Sequence, residues 1–146
     1  MNLKHSVKHS VKHIAAATAL MAATGAYAQD TVVKIGHSGP LSGAQAFSGK
    51  DNENGARLAV EELNAKPITV GGKKLKFELL SEDDQGDPKA GMAAAQKLID
   101  NGVKYVVGPY NSGVAIPSSR AYNDAGVLVA TIATNPKITQ QGYKGL

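Results

Sequence analysis

The sequence predicts an α/β fold built on a parallel sheet, and three observations carry that prediction. After residue 28, short β-branched runs alternate with helical repeats in the order β-α-β-α-β-α-β. That order implies parallel strands joined by right-handed crossovers. Gly or Pro stands at most of the junctions, where a chain changes direction. The composition, 42% hydrophobic and 19% charged with 16 Gly in 146 residues, is ordinary for such a domain.

The first stretch reads as an address rather than as structure. Lys4, Lys8 and Lys12 form a positive region, Ile14 to Ala23 is a short apolar run, and Ala26-Tyr27-Ala28 is an A-x-A cleavage site. Residues 1–28 are therefore expected to be a secretory signal peptide, with Gln29 first in the mature chain. The His5, His9 and His13 repeat belongs to this basic region rather than to a metal site. Its removal takes three lysines and no acid, so the formal charge falls from +4 to about +1. No global basic field then argues for nucleic acid. The absence of Cys excludes a disulfide scaffold, a thiol nucleophile, Cys-based zinc sites and a lipoprotein anchor. It also suits export to a bacterial periplasm, where disulfides are permitted but not required. No further apolar run is long enough to span a bilayer.

The elements follow in order. Thr31–Gly36 is the first strand, and the Gly/Ser-rich segment His37–Gly49 is a loop. Asp51–Ala65 has helical spacing, with Ala56, Ala59, Val60 and Leu63 inward. Lys66-Pro67 breaks it and Gly71-Gly72 turns the chain. Lys74–Ser81 alternates as the second strand, and Glu82–Asp87 is an acidic turn, better read as solvated than as a metal loop. Asp87-Pro88 starts the second helix, whose inward face is Met92, Ala95, Leu98 and Ile99, with Gly102 just past its end. Val103–Val107 is the third strand, Gly108–Gly113 a loop, and Val114–Ala125 the third helix, stopped by Gly126. Val127–Ile132 is the fourth strand. Thr134-Asn135-Pro136 opens a last short helix that stops near Gly142. No linker divides the mature chain. Four short strands are few for a complete doubly wound domain, so a fragment is expected.

Ligands of open α/β sheets bind beyond the carboxyl ends of the strands, at the switch in strand order. In the order 2-1-3-4 that switch lies between the first and third strands, beside the loops His37–Gly49 and Gly108–Gly113. Free N–H groups at Ser112, Gly113 and Val114, with the Ser112 hydroxyl, suit a carboxylate at the start of the third helix. Asn111 or Ser112 also reads as that helix's cap. Carbonyls in Ile132–Pro136 suit an ammonium, and Thr134 a carboxylate, although Thr134 or Asn135 also reads as a cap before Pro136. His37 reads as a loop residue rather than a catalyst. No phosphate loop, nucleophile elbow or set of nucleophile, base and orienting group occurs, so no catalytic residue, metal or cofactor is expected.

The segments VVKIGHSGPLSG, GKDNENGARLAVEELNA, EDDQGDPKAGMAAAQKLIDNGVKYVVGPYNSG and ATNPKITQQGY together resemble the periplasmic leucine/isoleucine/valine-binding proteins of branched-chain amino-acid ABC transporters. The resemblance implies a type I, two-lobed clamp with Rossmann-like lobes, of which residues 29–146 form part of the N-terminal lobe. It implies delivery of a branched-chain or related amino acid to a membrane permease, by a monomer that catalyses nothing. It implies ligand contacts at Ser112, with Asn111 beside it, at Ala133 and Thr134, and at Phe47 or Ser48 late in the first loop.

Some members carry a disulfide whose matching positions here are Gly86 and Asn111. The fourth strand is one residue shorter than usual, and Ile132 then crowds the pocket or shifts a carbonyl. The second lobe, with the groups that grip the ligand ammonium, lies outside the sequence, so residues 29–146 alone are expected to bind weakly. Two readings compete: the ligand-sensing domain of a signalling receptor, which shares the fold, and a truncated product that does not bind.

Overall fold

A computed structural model describes residues 30–145; the expected signal peptide lies outside them. The strands are β1 (Thr31–Gly39), β2 (Thr69–Val70), β3 (Lys73–Asp83), β4 (Tyr105–Val107) and β5 (Leu128–Ala130). The helices are α1 (Ala46–Ala65), α2 (Pro88–Asp100), α3 (Ser112–Asp124) and α4 (Lys137–Gln140). One sheet runs in the order β2-β3-β1-β4-β5. The β1–β3, β1–β4 and β4–β5 pairs are parallel. The anticipated order is thus present, extended by the antiparallel β2, which turns back on β3 through Gly71 and Gly72.

The chain leaves β1 toward β3 and then returns across it to β4. Right-handed crossovers therefore place α1 on one face and α2 and α3 on the other. The core lies under α2 and α3: Ala95, Leu98, Val103, Val106, Tyr122, Val127 and Val129. Asp87 caps α2 through Lys89 N and Ala90 N. Gly102 and Gly126 take positive φ beyond the ends of α2 and α3, as expected.

Several expectations are corrected. β1 runs on through His37 and Ser38 to Gly39, because pairing with β3 along that whole length, and with β4 as far as His37, overrides the low strand propensity. His37 is therefore a strand residue, wholly buried, and not part of a loop. α1 begins at Ala46, inside the predicted loop. Glu82 and Asp83 end β3, and Asp84 is completely buried, so the acidic run is not a solvated turn. Met92 is exposed: the buried stripe of α2 runs through Gly91, Ala94, Ala95 and Leu98, because Gly91 is the point of closest approach to Val114 of α3. Ala59 is exposed too, and only Val60 and Gly49 of α1 are buried.

α1 covers only part of its face. Val33, Ile35, Phe77, Tyr105 and Leu128 line an apolar groove of about 630 Å³ on the uncovered part. It lies on the flat of the sheet, away from the strand ends, and parallel sheets are normally covered on both faces. It reads as a packing surface.

Gly49 lets α1 pass against the first loop, since a Cβ there would strike the Pro40 carbonyl oxygen. We expect Gly49→Ala to destabilise the fold by about 1–3 kcal/mol, the usual cost of overpacking. A denaturant titration with an unchanged midpoint would refute this.

Candidate functional site

The carboxyl ends of β1, β3, β4 and β5 share one edge of the sheet. The switch in strand order falls between β1 and β4. Three loops rise there: 40–45 after β1, 108–111 after β4, and 131–136 after β5.

The first loop is pinned by the end of β3. Leu41 N donates to Asp83 Oδ1 at 2.8 Å, and the Ser42 hydroxyl donates to the other oxygen of the same carboxylate. Burial alone would raise the Asp83 pKa, but these donors and the Gln85 N–H outweigh it and hold it below the usual value. Next to it, Asp84 accepts from Ser38 Oγ and Gly86 N, each at 2.9 Å. Burial nevertheless pushes Asp84 up. Tyr122 is buried beside this cluster with its hydroxyl unpaired, and burial raises its pKa as well. Across the sheet, His37 Nε2 meets Asn52 Oδ1 of α1 at 3.2 Å, while Nδ1 has no partner. Burial lowers the His37 pKa against the opposing pull of Asn52, Glu53 and Asp84.

The loop after β4 crosses β1 at Gly108, whose φ is 107° and where any Cβ would strike Ser38 O. The peptide from Gly108 to Pro109 is cis. Thr131 Oγ1 donates to Pro109 O at 2.6 Å and accepts from Ala133 N at 3.1 Å, which ties the loop after β5 to the loop after β4. Asn135 N donates to Ser112 Oγ at 3.3 Å, a second tie. The Ser112 O–H proton stays available as a donor. Asn135 Oδ1 accepts from Lys137 N at 2.9 Å, just ahead of α4, whose N-cap position is Pro136 and carries no side-chain cap.

These ties gather four of the six predicted site residues. Asn111, Ser112, Ala133 and Thr134, with Tyr110 and Ile132, line an open groove of about 340 Å³. Ile132 is 56% exposed and forms its one large aliphatic surface. The donors differ from expectation in two places. Val114 N is taken by Asn111 O at 3.0 Å, which leaves Ser112 and Gly113 to offer first-turn N–H groups. Asn111 stands at the N-cap of α3 but makes no side-chain cap; its Nδ2 donates to Gln45 Oε1 at 2.9 Å.

Phe47 and Ser48 lie on the first turn of α1, not in a loop. They do not line this groove, and Phe47 is 79% exposed. Sequence reasoning missed Tyr110, Gln45 and Thr131. Thr131 alone had a signal, a Thr at a strand end before a Thr-Asn-Pro turn. Gly86, matched by resemblance to Asn111, does sit against it: a Cβ at Gly86 would lie 3.4 Å from Asn111 Oδ1. Among the described residues no group of three His, Cys, Asp or Glu is placed to hold a metal, and no helix is long and apolar enough to cross a membrane.

Residues 32–144 match the family model described as periplasmic binding protein. The chain belongs to the periplasmic binding protein family. It is 44% identical over 111 residues to a Leu/Ile/Val-binding protein of Rhizobium johnstonii, covering 75% of this chain and 29% of that one. It is 39% identical over 132 residues to the leucine-specific-binding protein of Salmonella typhimurium, covering 90% and 34%.

Among solved structures, it is similar to the branched-chain amino acid transporter substrate-binding protein of Streptococcus pneumoniae in complex with isoleucine. The TM-score there is 0.71, with 30% identity, 80% of this chain and 33% of that chain. It is similar, at TM-score 0.64 and 33% identity, to a substrate-binding protein of Desulfitobacterium hafniense in complex with Leu, over 79% of this chain and 33% of that one. The fold is thus that of type I periplasmic binding proteins, and the chain spans about a third of the length of these relatives.

The buried His37 makes stability depend on pH. Its folded-state pKa lies below the unfolded value of 6.5, so the unfolded chain binds more protons as pH drops past that value. The stability it supports is complete above pH 6.5 and falls as pH is lowered from there. It is the one His outside the first 28 residues. Urea midpoints measured between pH 7.5 and 5 should fall, and His37→Asn should flatten the slope. Parallel slopes for the two proteins would refute the assignment.

Proposed function

We propose that the intact protein is an extracytoplasmic solute-binding component of an ABC importer, taking a branched-chain or related amino acid and handing it to a membrane permease. The observation that carries this is the groove at the switch point. Ser112 and Thr134, both hydroxyl residues, border one small open volume beside the start of α3, where no side chain caps the first-turn N–H groups. Donors of this kind beside a helix N-terminus suit a carboxylate. The relatives' named ligands, Leu and Ile, carry one.

In this reading Ser112 and Thr134 donate to the ligand carboxylate. Ala133 leaves room beside them, with its N–H held by Thr131. Ile132 offers the ligand an aliphatic wall. Asn111 flanks the groove. Phe47 or Ser48, on the first turn of α1, meets the ligand side chain from across the crevice. The ligand is then closed in by a second lobe that this chain does not span. The protein acts as a monomer, without catalysis.

Calorimetry of the intact protein with L-leucine, L-isoleucine and L-valine tests the reading. At least one should bind, and Ser112→Ala should weaken it about tenfold or more, as expected for a hydrogen bond to a charged group. Absence of binding to all three, or an unaffected Ser112→Ala variant, would defeat it.

The same reading places the mature protein outside the cytoplasm, with residues 1–28 removed. The intact mass of protein recovered from the periplasm should correspond to a chain starting at Gln29. A mass that retains Met1 would refute the cleavage.

A further inference from the structure

Asn111 holds the N-cap position of α3, and Asn is among the strongest capping residues because its oxygen can accept from the second or third helical N–H. Here the oxygen does not do so. Nδ2 is bound to Gln45 Oε1 at 2.9 Å, and Oδ1 is buried without a partner, turned toward Gly86. Gly86, at φ 66°, leaves the space the pair needs, since a Cβ there would come within 3.0 Å of Gln45 Oε1. The chain thus gives up a local cap and leaves an acceptor unpaired, two departures from local rules at one residue. Such departures gather where function overrides local stability. The space over the helix end is open: a Cβ on Gly113 would meet nothing within 4 Å.

We propose that Gln45 is a positioning residue that holds the Asn111 carboxamide away from the α3 N-terminus, keeping the Ser112 and Gly113 N–H groups free for a ligand carboxylate. The inference rests on the solute-binding reading above. The Asn111 oxygen and a carboxylate compete for the same donors, chiefly the Gly113 N–H. Releasing Asn111 lets the helix cap itself and closes the site.

A tie that merely stiffened the loops would make Gln45→Ala and Asn111→Ala equally harmful. The positioning role makes them unequal. In the intact protein, Gln45→Ala should weaken L-leucine binding about fivefold, the scale of one capping interaction. Adding Asn111→Ala to it should recover most of that loss, since no side chain is left to compete. A double variant no better than Gln45→Ala, or Asn111→Ala as harmful as Gln45→Ala, would overturn the proposal.

A second readout needs no ligand. By NMR, the Gly113 amide should exchange more slowly in Gln45→Ala than in the parent, because Asn111 now covers it; equal or faster exchange overturns the proposal. If the parent binds none of the three amino acids, the solute-binding reading fails, and the Gly113 exchange still decides the role of Gln45.

Discussion

The end of β3 is fastened to the end of β1 by two adjacent carboxylates, and the geometry of the site depends on that fastening. Asp83 takes the backbone and side-chain donors of the first loop, while Asp84 takes Ser38 from within β1 and Gly86 from the following turn. Asp84 N also donates to Gly39 O at 3.0 Å, carrying the ladder one step past the strand. The two carboxylates serve opposite surroundings. Asp83 is held charged by its donors, whereas Asp84 is pushed toward its neutral form by burial. The division follows from their surroundings, burial for Asp84 and hydrogen-bond donors for Asp83. Here it lets one acid anchor a surface loop while the other fills the interior.

From that anchor the remaining loops are placed in turn. β1 fixed against β3 presents Ser38 O to Gly108, and only glycine fits the crossing. Gly108 N reaches Ala130 O, so β4 and β5 end together. Thr131 then joins the two loops, and Ser112 receives Asn135 N. Each contact is a single hydrogen bond, of modest net value alone. Their effect lies in succession: four strand ends, each positioned by the one before, bring residues 112 and 134 onto one groove although 22 positions separate them in the sequence.

Much of this was legible in the sequence, for identifiable reasons. Parallel strands followed from the alternation, and the switch point from taking the order 2-1-3-4. The α2 cap followed from Asp87-Pro88, and the helix ends from Gly102 and Gly126, because these signals are local. The errors fall where tertiary partners override local preference. His37 to Gly39 looked like loop because its composition is poor for a strand, yet it continues the ladder with β3, joined at His37 by β4 on the other side. The acidic run looked solvated because three carboxylates in a row usually are; the Ser38 hydroxyl that makes Asp84 burial tolerable lies 46 positions away. The Gln45–Asn111 bond spans 66 positions, and neither residue carries any mark of it.

A wall built from hydroxyls and first-turn amides has a physical consequence for how such a site works. Each donor is modest while water can reach it, because water competes for the same carboxylate and screens the helix dipole. Excluding water strengthens every one of these donors together, without altering any of their positions. The groove here is bordered by loops tied to one another through the Thr131 and Ser112 hydroxyls. In the proposed role, ties of this kind lower the ordering cost on this wall and leave the gain in affinity to the closing of a second one. Ile132 fits that division. An exposed aliphatic residue beside fixed polar donors contributes little in the open state, and its surface is removed from water only when an apolar ligand side chain and an opposing wall cover it.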